Sequence, residues 1–575
     1  MATYGTWGNG IINVNANFNL MEPAYTGWRF ILKWIDFETS AGVFDYSYVL
    51  DQLSEAETRG WDFSISIDVS PANGGSPKTP AWLFSAPYSV PLVTTTTAQY
   101  PYYLNAAFQT RYHLMLDALR DYIVTLSSSY KTKFSFWLST EGKTGDNGPY
   151  AGTITDVTIN GVSQPSPSSY NITDADWQTH KRANIWPLGY TNVSSDLPDT
   201  DYAINGGNDF ADFQWGLDNI PDCDFKAGFP THTYSNGSEK YYTDNIHSLF
   251  SLPTDNRTFG EFQNILDLAW FQTSYKQNFF SIVCSALHHG VDILSINTGN
   301  PQQMFPADLT PFQFFNKYAG IRAAIDTNKG FCALRDMIDV NDTTRFPESA
   351  PYGTVVDPSR ITAYTNALNA IIASGQSDQQ KQSRKTDLLV NYLNPARITY
   401  LRSLFPTASY HVIDDGEDQD AYNQEFGVDL IPDNYNKFIT QYSPNTTSVG
   451  KWRVGSTNSF YGRYSRAFDN ANGKTEMFFT LDEDLAGGGN NSTLSVTYYD
   501  EGTGIWSVNC ATCKGKSEMQ VVQNKNTLSW KTVDMDVDNF TFGGELENGS
   551  DFTLKYLSGS DTTFAMIEYV NNSKV

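Results

Sequence analysis

Over the first 330 residues, short apolar runs alternate with stretches in which apolar residues recur at helical spacing, and turn residues separate the two. Residues 28 to 34 read as a strand. Tyr46, Val49, Leu50, Leu53 and Ala56 then mark one face of a helix that Asp45 starts and Gly60 closes. The alternating run Asp62 to Val69 follows directly, which makes a βαβ unit and implies a parallel sheet. Past a long loop from Ser70 to Pro101, a plausible substrate wall, the positions Leu104, Phe108, Tyr112, Met115, Leu119 and Ile123 predict a long amphipathic helix. The next apolar run ends abruptly at Glu141 and Gly142. If that strand is the fourth, residues 201 to 205, 224 to 229, 256 to 261 and 292 to 297 are the fifth to eighth, with helices at 177 to 185, 210 to 217 and 265 to 287 between them. No glycine-rich dinucleotide fingerprint follows any strand, so the alternation predicts a (β/α)8 TIM barrel rather than a doubly wound sheet. Residues 331 to 453 read as a mostly helical or irregular extension, clearest at 364 to 372 and 388 to 404. From 454 to 575 short alternating segments with turn signals predict a C-terminal β-sandwich.

Composition narrows the partners. With 63 acidic against 38 basic residues and a formal charge of −25, the surface suits neither nucleic acid nor an anionic membrane. It would also repel a sulfated polymer at long range unless salt or a local basic pocket intervenes. The 13 Trp, 34 Tyr and 36 Phe exceed what packing usually demands, and aromatic faces can stack on pyranose rings. Five cysteines are too sparse for a disulfide framework. Cys510 and Cys513 alone are spaced as a pair, either a small disulfide or half a zinc site, and no second such pair or histidine cluster accompanies them. No cofactor or metal is expected. No run is long and apolar enough to span a bilayer. The sequence at Met1 to Gly5 lacks the pattern of a signal peptide, and a secreted or periplasmic location is expected if such a signal has been removed.

Two carboxylates at strand ends carry the chemistry. Glu141 would close the fourth strand and Glu261 the seventh, and both then face the C-terminal rim of the barrel, where active sites of this fold lie. An opposed pair of acids can cleave a glycosidic bond, one donating a proton to the leaving oxygen while the other attacks the anomeric carbon. Taken singly, an acid at a strand end is often just a solvated surface group. His232 and Tyr234, after the sixth strand, could orient the nucleophile or bind a hydroxyl, or be ordinary loop residues. Trp34, Trp82 and Trp137 read as sugar platforms or core, with core favoured for Trp137 inside its strand. Lys143 and Arg29 lie near enough to the expected mouth to bind a sulfate, although a solvated cation is the commoner explanation. Gly142-Lys143-Thr144 fails as a phosphate loop because Trp137 stands where its first glycine belongs. His288 and His289 read as a helix C-terminal charge effect rather than a metal site.

Trp34-Ile35-Asp36-Phe37-Glu38 followed by Gly42-Val43-Phe44-Asp45-Tyr46 resembles a run of clan-A glycoside hydrolases, particularly those similar to β-galactosidases. Pro80-Ala81-Trp82-Leu83 looks like a second of their motifs, and the two strand-end acids match their catalytic positions. The resemblance covers about residues 1 to 330. A barrel followed by a sandwich also looks like marine galactan hydrolases such as agarases, porphyranases and β-carrageenases. The resemblance implies that Glu141 is the acid/base and Glu261 the nucleophile, with Trp34, Glu38, Trp82, Thr140, Lys143, His232 and Tyr234 against the substrate. The chain departs from the pattern where Thr140 replaces the usual Asn before the acid, and where Thr39 replaces Pro after Glu38. The expected activity is retaining hydrolysis of a β-linked polysaccharide, an algal galactan above all. The alternative is a non-catalytic polysaccharide-binding protein or adhesin on the same scaffold.

Overall fold

The structure is a computed structural model that describes residues 4–9, 21–69, 71, 77–143, 148–186, 197, 200–204, 210–227, 257–262, 275–297, 308–335, 434–452, 454–486, 491–512, 515–537 and 543–574, with isolated residues between 366 and 374. The chain forms two compact units. One comprises Met1–Phe229, Pro253–Gln263 and Asp292–Leu309, and the other Pro230–Leu252, Asn264–Val291 and Thr310–Val575.

The first unit is a closed barrel of eight parallel strands. In chain order they are β1 (Gly5–Asn9), β2 (Gly27–Lys33), β3 (Asp62–Asp68), β4 (Phe134–Thr140), β5 (Asp201–Ile204), β6 (Asp224–Ala227), β7 (Thr258–Phe262) and β8 (Ile293–Asn297). Each pairs with its neighbours in sequence, and β8 closes on β1. The strand numbering expected for Glu141 and Glu261 therefore holds. The described helices between them include α1 (Ser47–Thr58) after β2, α2 (Ala106–Thr125) after β3, α3 (Asp174–His180) after β4 and α4 (Phe210–Asn219) after β5.

Large side chains fill the lumen. Trp7 of β1 stacks on Phe136 of β4 at 5.4 Å, a contact between non-neighbouring strands that runs through the barrel, and Leu138, Ala203 and Ile293 complete the cluster. The indole of Trp7 lies against Gly27, its register partner on β2, where an added Cβ would sit 2.3 Å from the ring. Glycine at 27 is thus required by close approach rather than by a turn.

At the strand starts, Arg257 ties β4, β5 and β6 together. Its guanidinium donates to Asp201 at 2.6 Å, Asp224 at 2.7 Å and the Ser135 carbonyl at 2.9 Å. Two carboxylates share one cation in a buried site. Burial outweighs Arg257 and pushes the Asp224 carboxyl up to about 7.

Two connections expected as loops build a small sheet of their own. Leu92–Thr95 and Gln99–Pro101 from the β3–α2 connection pair with Ile154–Ile159 and Val162–Ser163 from the β4–α3 connection. Both connections leave the C-terminal ends of their strands, so this sheet belongs to the face on which Glu141 sits.

The second unit contains two antiparallel sheets around one core. The seven-stranded sheet includes Lys329–Leu334, Asn434–Lys437, Tyr464–Ala467, Ser492–Tyr499 and Thr563–Asn571; the five-stranded sheet includes Ile439–Gln441, Glu476–Leu481, Ile505–Thr512 and Phe552–Ser558. Cys332, Phe479, Leu494, Trp506, Leu554 and Phe564, drawn from both sheets, pack together between them. The chain crosses from one sheet to the other at Phe438, in a left-handed conformation with φ 62°. The sandwich thus begins well before residue 454. Most of the expected helical extension over 331–453 lies outside the described residues; of those described, 331–335 and 434–452 are mainly strand, and Asn366, Asn369 and Ala370, within the helix expected at 364 to 372, are helical. The long sequence gap hid this pairing, because Cys332 meets Asn436 only in the folded sheet. Cys510 is buried at its strand, and Cys513 lies outside the described residues. Among the described residues no helix is long and apolar enough to cross a membrane.

The Asp224 shift has a sign that can be measured. A carboxyl raised in the folded state takes up a proton on folding, so its contribution to stability is complete below the unfolded value of 3.8 and is lost as pH rises through about 7. Melting temperature followed from pH 4 to 8 is expected to show this loss in the wild type and not in Asp224→Asn; identical pH dependence in the two proteins would contradict it.

Candidate active site

Glu141 follows β4 directly and its side chain is completely buried. Gly142 comes next with φ 75°, and an added Cβ there would meet the Gly148 carbonyl oxygen at 2.2 Å and the Trp177 ring at 2.9 Å. The glycine that ends the apolar run is therefore needed twice, for its backbone conformation and for the packing of the following segment. Lys143 continues this turn with its backbone N–H donated to the Gly148 carbonyl at 2.8 Å.

Two helices bring groups to Glu141. Asn105 caps α2 by accepting from Ala107 and Phe108, and Thr173 caps α3 by accepting from Asp176. The last residue of α3, His180, is buried and has Nε2 3.4 Å from Glu141 Oε2. Beyond it the helix widens into a π turn, Lys181–Ile185, a distortion often found at functional sites. Asp212 of α4, wholly buried, holds that turn by accepting from Lys181 Nζ at 2.6 Å and Arg182 at 2.9 Å. Tyr103 lies beneath, within an aromatic group that includes Trp177 at 5.2 Å, Phe108 at 5.5 Å and Tyr150 at 6.0 Å. Burial first, and then the charge of Glu141, raises the Tyr103 phenol well above its ordinary value, so it is a neutral hydroxyl.

The resemblance motifs gather at a different node. Glu38 is completely buried. Its Oε2 accepts from the Trp34 indole N–H at 2.7 Å, and its Oε1 accepts from the Gly42 backbone at 2.8 Å and from the Arg111 guanidinium. Arg111 in turn lies over the rings of Trp82, at 5.2 Å, and Tyr88, at 5.6 Å, while the Trp82 indole donates to the Glu38 carbonyl at 3.3 Å. Trp34 is fully buried against Phe108 and Tyr112. Trp34 and Glu38, expected against the substrate, thus lie in the interior: both side-chain oxygens of Glu38 are engaged, and the Trp34 ring is fully buried. Trp137 is likewise core.

Thr140 is half-buried and donates its hydroxyl to the Ile67 carbonyl of β3 at 2.8 Å. Where the resemblance expects an amide, this chain has a side chain whose proton is already committed. Arg29 is buried in β2 and donates to Ser66 at 3.0 Å, so it is not a solvated cation. Trp82 and Lys143 are half-buried. The backbone of Glu261 lies in β7, in register with Ser295 of β8, and its side chain is outside the described residues. His232 and Tyr234 are outside them altogether. Sequence reasoning missed His180, Gln109 and Tyr103. The available signal was Trp177 and His180 three apart on the helix after the fourth strand, which puts both on one face.

No family model matches the chain, and no curated protein matches it. Among solved structures, it is similar to the catalytic domain of a beta-amylase from Paenibacillus polymyxa, at 12% identity and TM-score 0.39 over 55% of this chain and 98% of that one. It is also similar to an intracellular xylanase of Thermoanaerobacterium saccharolyticum, at 10% identity and TM-score 0.33 over 51% and 86%. A third is endo-glycoceramidase II from Rhodococcus sp., at 12% identity and TM-score 0.34 over 52% and 73%.

The Glu38 node makes a direct stability prediction. Glu38→Ala leaves Arg111, Trp34 and Gly42 without their common acceptor and is expected to cost ~3 kcal/mol. Asp36→Ala, which removes only an exposed pair with Lys33, is expected to cost under ~0.5 kcal/mol. Denaturant midpoints for the two variants check this, and equal shifts would refute the assignment.

Proposed function

We propose that the protein is a retaining glycoside hydrolase that cleaves a β-linked polysaccharide internally, with a galactan of agar, porphyran or carrageenan type as the substrate class. The observation that carries the reading is a wholly buried carboxyl group, Glu141, at the C-terminal end of β4 in a closed parallel barrel whose β7 carries Glu261 near its own C-terminal end. The C-terminal rim is where barrels of this kind do their chemistry.

In the first step a Glu261 carboxylate oxygen attacks the anomeric carbon. The glycosidic C–O bond breaks, and the proton of Glu141 goes to the departing oxygen. In the second step Glu141, now a carboxylate, takes a proton from water. The water oxygen displaces Glu261 from the anomeric carbon, and the configuration is retained. Such a mechanism requires the two carboxyl groups to stand about 5–5.5 Å apart in the working enzyme. The small sheet from the β3 and β4 connections, with Trp82 and Lys143 nearby in sequence, supplies a wall for an extended chain. A secreted or periplasmic enzyme would meet such a polymer directly.

Replacing Glu141 and Glu261 separately by Gln and following reducing ends on a panel of polysaccharides tests this. Each change is expected to lower the rate by at least ~10²-fold. Activity near the wild type in either variant refutes that residue's role. Binding of a glycan by the wild type without product on prolonged incubation would favour a polysaccharide-binding protein instead.

A further inference from the structure

The surroundings of Glu141 contain a hydrogen-bond chain that determines where the His180 proton sits. The His180 ring offers Nε2 to Glu141 and Nδ1 to two side-chain amides, Gln109 of α2 and Asn184 of the π turn, each with its nitrogen at 3.4 Å. An amide is easily read the wrong way round, but Gln109 carries its own check. The same Nε2 lies 3.3 Å from the Tyr103 backbone carbonyl, which can only accept. The nitrogen of Gln109 must therefore face both groups, and His180 Nδ1 receives a hydrogen bond. In the neutral ring the proton is then on Nε2, pointing at Glu141.

We propose that His180 is a positioning residue for Glu141: its Nε2–H donates to the Glu141 carboxyl and fixes the orientation of that group at the end of β4. The proposal rests on the reading of Glu141 as the acid/base. Among the described residues, the titratable groups beside His180 have partners of their own. Tyr103 is a neutral phenol, as above. His113 of α2 turns its Nε2 to the Asn184 carbonyl at 3.3 Å, and burial lowers its ordinary value. Lys181 and Arg182 are committed to Asp212. A donor at Oε2 keeps the Glu141 carboxyl from rotating when the proton leaves.

Two measurements test the proposal. In the full-length protein labelled with ¹⁵N-histidine, the ring resonances that disappear in His180→Gln are expected to show a protonated Nε2 and an unprotonated Nδ1; the reverse tautomer overturns the proposal. In kinetics on whichever glycan the wild type cleaves, His180→Ala is expected to lower kcat by about ten- to a hundredfold with KM nearly unchanged. His180→Gln, which keeps an N–H in that region, is expected to recover part of the rate, and a wild-type kcat in His180→Ala overturns the role. If no glycan is cleaved by the wild type, the acid/base reading of Glu141 falls while the ring spectrum still decides the hydrogen bond.

Discussion

A carboxyl group with no surface in contact with water is the costliest feature of the barrel mouth, and the segments around β4 are arranged to make it tolerable. Removing a carboxylate from water costs several kcal/mol even after the protein relaxes. Glu141 is completely buried, so its polar neighbours have to come from elsewhere in the chain. α3 delivers His180, and α2 delivers the amide that orients it. Both helices are capped by side chains at their starts, and the π turn after His180 is clamped to Asp212. Gly142 lets the chain leave the strand without displacing Trp177.

The two buried glutamates near the motifs, Glu38 and Glu141, stand in different surroundings. Glu38 is saturated: a guanidinium, an indole N–H and a backbone N–H hold both of its oxygens. Those bonds join the connections after β2 and β3 at one buried point. At Glu141, Oε2 lies 3.4 Å from His180 Nε2, which α3 delivers.

Strand order was legible in the sequence because buried parallel strands read as nearly continuous apolar runs, and their ends were marked by Glu141-Gly142 and by Glu261. Roles within the site were less legible. Trp34 and Glu38 are residue types that suit sugar binding, and nothing in their own spacing reveals that they bond to one another and to Arg111, 73 positions away from Glu38. His180 escaped for the same reason, lying 39 positions from its partner. The early strands of the sandwich were hidden by the distance between Lys329–Leu334 and Asn434–Lys437, which pair only once folded. Nothing in the sequence around Thr140 shows that its hydroxyl is spent on the neighbouring strand, at the Ile67 carbonyl.

The central claim, that Glu141 gives and takes the proton in a double displacement, is tested most directly by azide rescue. An activated aryl β-glycoside of an oligosaccharide that the wild type cleaves would be offered to Glu141→Ala, with and without sodium azide. A good leaving group needs no acid, so the glycosyl-enzyme forms and accumulates. Azide, which needs no general base, then attacks it. The account predicts that azide restores turnover and that the product is the β-glycosyl azide; no rescue, or an α-glycosyl azide, would contradict it.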